Sequence, residues 1–308
     1  MGKSCGGKSI SLNQEEGYNL QGVVIRAVGG FYDVRTREGK EYRCRARGRF
    51  KKDRTSIYVG DRVEFTVNNG EGVLETVEPR RNFLHRPPVA NIDQVIIVSA
   101  LQNPPISLQL LDRLLVLAES RQLRAIICFN KADLPHDDVA DPVRFYAEAG
   151  YKIFFTSAKL GQGIEALQKE LCSRVSVFAG PSGAGKSSLL NRIKPGINLK
   201  TGAVSDKSKR GRHTTRHVEL IPLEGEGFVA DTPGFSQLEL SEITSQQLPY
   251  YFPDFYPHAE NCRFNTCMHV KEPDCGVKAA VEQGKILASR YENYLYFFDE
   301  LKQQEREY

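Results

Sequence analysis

No apolar run in the 308 residues approaches the length that spans a bilayer, so a helical integral membrane protein is not expected. The opening stretch MGKSCGGKSISLNQEEGYNL has no apolar segment of the secretory type. Gly6 and Gly7 stand where a myristoylation pattern requires Ser or Thr. Residues 1–19 therefore read as a disordered tail. There is no internal repeat, which argues against a solenoid or propeller. Seven cysteines, an odd number without a signal, argue against a disulfide framework and for a reducing, cytoplasmic compartment. Charge of either sign is not in large excess: 42 Lys/Arg against 38 Asp/Glu leave +4.

What is present is ordinary in bulk and uneven in detail. Hydrophobic content of 40% and charged content of 26% fit a soluble globular protein with room for two or three domains. Between Arg35 and Arg54, however, ten Lys/Arg face three Asp/Glu, a local +7 that points to a polyanionic partner.

Residues 20–79 read as all-β. QGVVIRAV, FYDVRT, KEYRCRA, DRVEFTV and GVLETV are short runs divided by Gly, Asn and Asp, as in a five-stranded OB-fold barrel. Strand alternation puts Arg43, Arg45 and Arg47 on one face. That face is either a charged guard on a solvated edge strand or a surface for RNA phosphates. RRNFLHRPPVAN, residues 80–91, is basic, proline-paired and aperiodic, and reads as a linker. From Ile92 to residue 240 the pattern changes to alternating strands and helices, an α/β domain with a mostly parallel sheet. Residues 241–308 contain a His/Cys segment and then a helical run, VKAAVEQGKILASRYENYLYFFDELKQQ.

Within the α/β domain, the octet Gly180, Pro181, Ser182, Gly183, Ala184, Gly185, Lys186 and Ser187, followed by Ser188, matches G-x-x-x-x-G-K-[ST]. It follows the apolar strand VSVFA and opens the helical SSLLNRI, the context in which glycines curl backbone N–H groups around phosphate oxygens. Lys186 is placed to reach the β/γ-phosphates, and the Ser187 hydroxyl to ligate Mg²⁺. Asn130, Lys131 and Asp133 belong to NKAD at the end of strand RAIICF. The Asp133 carboxylate accepts from both guanine N1–H and the N2 amine, donors that adenine lacks. Asn130 can address the O6/N7 side, and Lys131 can lie along the ring. Ser157, Ala158 and Lys159 belong to TSAK at the end of strand YKIFFT, where the Ala158 N–H suits guanine O6. DTPG supplies Asp231 and Gly234 below a γ-phosphate. Phe235 follows, where a glutamine that orients the attacking water would be expected. Cys262, Cys267, His269 and Cys275, with four, one and five intervening residues, form a closed Cys₃His zinc set with a structural role.

The base-reading elements precede the phosphate loop, and GRHTTRH and DTPG follow it, an order found in circularly permuted GTPases. NKAD, TSAK, GPSGAGKSS, GRHTTRH, DTPGF and the cysteine cluster, in that order, resemble the RsgA family of ribosome small-subunit-dependent GTPases. The resemblance covers the chain from about residue 20 onward. It implies a circularly permuted P-loop GTPase domain with an N-terminal OB-fold β-barrel and a C-terminal zinc-binding α-helical domain. It also implies that Thr215 ligates Mg²⁺ and that His213 is catalytic; His213 lies two residues before that threonine, as His217 lies two after it, and could position the water that Phe235 cannot hold. The implied partners are GTP, GDP, the small ribosomal subunit and its rRNA. The implied role is late subunit assembly, by a monomer without membrane attachment. Two other readings start from the same residues. One is a non-hydrolysing, GTP-sensing RNA-binding module, favoured by Phe235. The other is a zinc-dependent RNA-binding protein with a vestigial nucleotide site, disfavoured by the intact Lys186, Ser187, Asp231 and Asp133.

Overall fold

The computed structural model describes residues 18–48, 50, 56–68, 70–85, 88–135, 140–197, 199, 218–231, 240 and 242–307. The expected disordered tail lies almost wholly outside them. The chain divides into two compact units, Met1–Pro79 and Arg80–Tyr308.

The first unit is a closed barrel. Strands β1 (Tyr18–Val28), β2 (Phe31–Thr36), β3 (Glu41–Ala46), β4 (Arg62–Asn68) and β5 (Glu71–Val77) follow the five predicted runs. β1 pairs antiparallel with both β2 and β4, β2 with β3, β4 with β5, and β3 closes the ring by pairing parallel with β5. Alternation sends Val24, Val34, Cys44, Val63, Phe65 and Leu74 inward, each fully buried. β3 has a partner on each side and is not an edge strand, so its arginines are not guarding an open edge.

The second unit opens with a hairpin where a linker is expected. β6 (Phe83–His85) and β7 (Pro88–Ala90) pair antiparallel. Asn82 staples the base: its amide nitrogen donates to Ile92 O and its oxygen accepts from Ile92 N–H, each at 2.8 Å. Arg81 adds an ion pair to Asp93 at 2.7 Å. These side-chain bonds supply the order that apolar periodicity did not announce.

Beyond the hairpin lies a sheet in the order β10–β9–β8–β11–β13–β12. Its members are β8 (Gln94–Ala100), β9 (Arg124–Asn130), β10 (Lys152–Thr156), β11 (Val175–Ala179), β12 (Glu219–Pro222) and β13 (Phe228–Asp231). All neighbours run parallel except β12 and β13. Every residue of β8 is buried, as a central parallel strand covered on both faces requires. Helices α3 (Ile164–Leu171) and α4 (Lys186–Ile193) share a core with β8, β9, β11 and β13 through Leu167, Leu171, Leu189 and Ile193. Helix α1 (Leu108–Ser120), capped by Ser107, packs Val116 and Leu117 into a different core, built with the C-terminal region. Helix α2 (Ala140–Glu148) sits between β9 and β10 in the chain.

The C-terminal region contains a short α5 (Tyr256–Ala259), α6 (Gly276–Glu282) and the long α7 (Ala288–Glu307). The single predicted helical run is broken where Gly284 turns to φ +68°. Leu248, Phe252, Phe255, Tyr294, Phe297 and Leu301 form the centre of this core. A buried ionic network joins it to α1. Arg290, 1% exposed, donates to Asp112 at 2.5 Å and to Asp254 at 2.9 Å. Asp112 also accepts from Tyr146 and Asn293. Burial opposes ionisation of Asp112, and the bonds from Arg290, Asn293 and Tyr146 offset only part of it. Removing one partner of such a pair costs about 3–5 kcal/mol, so α7 and α1 are held together as one piece.

Candidate nucleotide and metal sites

The C-terminal ends of β9, β10 and β11 bring three predicted segments to one end of the sheet, where open α/β folds bind ligands. Two glycines make the phosphate loop possible. Gly180 has φ +132°, and a Cβ there would sit 2.0 Å from Val98 O. Gly185 has φ +95°, and a Cβ would sit 2.2 Å from the Asn130 amide nitrogen. Helix α4 then starts at Lys186 with no side-chain cap, leaving its first N–H groups to a ligand. The Lys186 ammonium arches over the loop and donates to Gly180 O and Pro181 O, each at 2.7 Å. Ser182 and Gly183 are exposed on the loop, whereas Pro181, Ser187 and Ser188 are half-buried and Ala184 is buried.

Asn130 is held by three bonds within the protein. It is 1% exposed, and its amide nitrogen donates to Ala184 O at 2.9 Å. Its oxygen accepts from the Thr156 hydroxyl at 3.2 Å and from Ala158 N–H at 3.3 Å. One side chain thus straps the phosphate loop to both base-reading loops. The Ala158 N–H, expected to meet the base, makes this long bond alone among the described residues.

Asp133 lies beside this strap. Its carboxylate accepts from the buried Ser157 hydroxyl at 2.5 Å. That bond, aided by Lys159 and Lys131, holds its pKa below the usual carboxylate value, so it is an ionised acceptor at neutral pH. Lys131, at φ +64°, donates to Asn103 O in the β8–α1 loop, and Lys159 is exposed. Asp231 ends β13, which runs parallel beside β11, so this backbone arrives next to the start of the phosphate loop. His213, Thr215, Gly234 and Phe235 lie outside the described residues.

The four predicted metal ligands converge. One donor atom from each of Cys262, Cys267, His269 and Cys275 lies within 4.8 Å of the others. Zinc bonds of about 2.3 Å to sulfur and about 2.0–2.1 Å to nitrogen set the tetrahedron edges at about 3.8 Å for S···S and about 3.5 Å for S···N. Cys262 and Cys275 Sγ are 3.8 Å apart, and His269 Nδ1 is 3.5 Å and 3.4 Å from them. The residues therefore fit a zinc ion bound through Nδ1. The shell around them fixes the backbone. Glu272 accepts N–H bonds from Met268, Val270 and Lys271 at 2.8–3.0 Å, Tyr291 donates to His269 O at 2.6 Å, and Tyr294 donates to Met268 O. Burial pushes the Cys267 thiol up to about 12, so a bound cation is what would make it a thiolate.

The barrel arginines are less available than their spacing suggests. Arg43 pairs with Asp33 at 3.0 Å and Arg47, just past the end of β3, with Glu75 at 2.6 Å. Arg45 lies over the Phe31 ring, 4.9 Å from its centroid. Phe31 belongs to this surface, and the motif search missed it. Its only signal was its place beside Gly29-Gly30, opposite an arginine in the neighbouring strand.

The family model described as RsgA GTPase matches residues 77–241, and that described as RsgA N-terminal domain matches residues 21–74. The small ribosomal subunit biogenesis GTPase RsgA of Moorella thermoacetica is 51% identical over 290 residues, spanning 94% of this chain and 100% of that protein. The crystal structure of YjeQ from Thermotoga maritima superposes with a TM-score of 0.80 at 42% identity, covering 92% of this chain and 99% of that one. YloQ, described as a circularly permuted GTPase, gives 0.79 at 38% identity, covering 94% and 98%.

Proposed function

The chain belongs to the RsgA family of GTPases, and from that membership we propose that it hydrolyses GTP to GDP and phosphate while acting in late maturation of the small ribosomal subunit. The observation that supports the nucleotide assignment is the Asn130 strap between Ala184 O and the Ala158 N–H, with the ionised Asp133 bonded beside it to Ser157. Asp133 selects guanine by accepting two N–H bonds. Gly180, Pro181, Ser182, Gly183, Ala184, Gly185 and Ser188 enclose the phosphates, and Lys186 turns its ammonium from the loop carbonyls to the β/γ-oxygens. Ser187 and Thr215 would hold Mg²⁺, which when bound offsets phosphate charge. Asp231 and Gly234 begin the γ-phosphate-sensing loop.

Phe235 has no polar atom with which to hold a water, so His213 orients the nucleophile. With that water placed by a single histidine, unassisted turnover is slow, and docking on the small subunit accelerates it. Arg43, Arg45 and Arg47 on the barrel, together with the zinc segment, contact rRNA. The Cys262, Cys267, His269, Cys275 site holds one structural zinc ion. The protein works as a cytoplasmic monomer.

The test is GTP turnover with and without purified small subunits. Subunits should accelerate the parent protein, and His213→Ala should slow the stimulated rate by about 10²-fold with GDP affinity unchanged. A fully active His213→Ala removes that residue from the mechanism. Absence of stimulation with tight GTP retention would instead favour a nucleotide sensor that does not turn over.

A further inference from the structure

The outer face of the barrel carries two adjacent cross-strand rows. In the first, Val28 pairs with Phe31 and Phe31 with Arg45; in the second, Arg26 pairs with Asp33 and Asp33 with Arg43. Residues directly opposite across strands share a face, so each row is a contiguous strip on the barrel surface. The two apolar members of the first row are unusually open: Val28 is 40% exposed and Phe31 38%. They flank the Gly29-Gly30 turn, and a Cβ at either glycine would meet nothing within 4 Å, so the surface beside Phe31 is unobstructed on that side. Arg45, exposed and without a carboxylate partner among the described residues, stands 4.9 Å from the Phe31 centroid, and Arg43 stands 5.9 Å from it. The second row has two guanidiniums around one carboxylate.

We propose that Phe31 and Arg45 form a stacking platform for an unpaired base of single-stranded RNA, with the neighbouring phosphates on the Arg26–Asp33–Arg43 row. An exposed ring and an adjacent guanidinium both stack on bases, and sequence-tolerant binding of single strands combines such platforms with basic tracks. The local +7 from Arg35 to Arg54 favours a polyanion over an apolar or acidic-poor protein partner. The proposal deepens the RNA contact of the proposed function, on which it rests, and shifts its weight. Arg43 and Arg47 share their charge with Asp33 and Glu75 while staying exposed, so they can meet phosphates, but specificity for unpaired RNA comes from the aromatic, not from the count of arginines.

The experiment uses the full, zinc-loaded chain with a fluorescein-labelled unstructured 12-nucleotide RNA, a duplex RNA of equal charge, and polyphosphate. The single strand should bind more tightly than the duplex, and Phe31→Ala should weaken it about 5- to 150-fold without lowering Tm. The chain has no tryptophan, so Phe31→Trp introduces a unique indole at the platform. That variant should retain affinity, and its fluorescence should be quenched by the single strand but not by polyphosphate. Unchanged binding by Phe31→Ala, an indole that RNA does not quench, duplex binding equal to single-strand binding, or an acidic peptide competing as well as RNA would each overturn the platform. Subunit-stimulated turnover is measured in parallel. If it persists while the platform tests fail, this inference falls and the family-level reading stands; if stimulation is absent as well, both fall.

Discussion

Asp133→Asn is expected to lower affinity for guanine nucleotides by as much as ~10⁴-fold, because a site built around paired polar groups penalises the mismatch heavily. The carboxylate is an acceptor at both oxygens, and one already takes the Ser157 hydroxyl at 2.5 Å. An asparagine amide presents a donor where guanine also presents donors. The same amide faces the C2 carbonyl of xanthine favourably, so the variant should gain xanthine-nucleotide binding as it loses guanine. Calorimetric titration with GDP and XDP measures both effects. Because Asn130 straps the loops and an asparagine at 133 keeps an oxygen for the Ser157 hydroxyl, the fold should be unaffected, and thermal melting serves as the control. Retention of full guanine preference would move base reading to another residue.

Removal of zinc is the second large effect. In small zinc domains the ion contributes about 10–16 kcal/mol of apparent binding free energy that is also folding free energy. Here the first half of the knuckle is open, since Arg263, Phe264, Asn265 and Thr266 are all exposed, and the bonds from Glu272, Tyr291 and Tyr294 hold only its second half. Chelation, or Cys275→Ser, should open that segment to protease and lower Tm. Yet α7 should stay helical, because the Asp112–Arg290–Asp254 network and the packing of Phe252, Tyr294 and Phe297 do not depend on the metal. The expected result is therefore one zinc per chain by metal analysis, local proteolysis after chelation, and most of the far-ultraviolet helical signal retained. A protein that purifies without zinc and ignores chelators would end the assignment.

The parts that were legible in the sequence are those with local causes. Alternation and glycine-bounded runs marked all five barrel strands, and the strand–glycine–lysine–helix pattern marked the phosphate loop. Spacing alone located the four residues that converge as a Cys₃His cluster. What could not be read depends on partners far apart in the chain. Asn130 meets Ala184 across 54 positions and Arg290 meets Asp112 across 178, and neither residue carries a local signal of its mate. The β6–β7 hairpin escaped because its order comes from the Asn82 amide and not from apolar periodicity. Alternation placed Arg43 and Arg45 on one face of β3, but Arg47 lies just past the strand's end, and alternation cannot tell that Asp33 and Glu75 pair with Arg43 and Arg47.

The strap between Asn130 and Ala184 also has a consequence for synthesis. A ribosome delivers β8, β9 and β10 well before β11, although β11 lies directly against β8 in the finished sheet. Until β11 emerges, a strand whose every residue is buried in the finished fold presents one bare side, and Asn130 lacks the Ala184 carbonyl that receives its amide hydrogen. Nucleotide cannot lend stability during that interval, because its cradle does not yet exist.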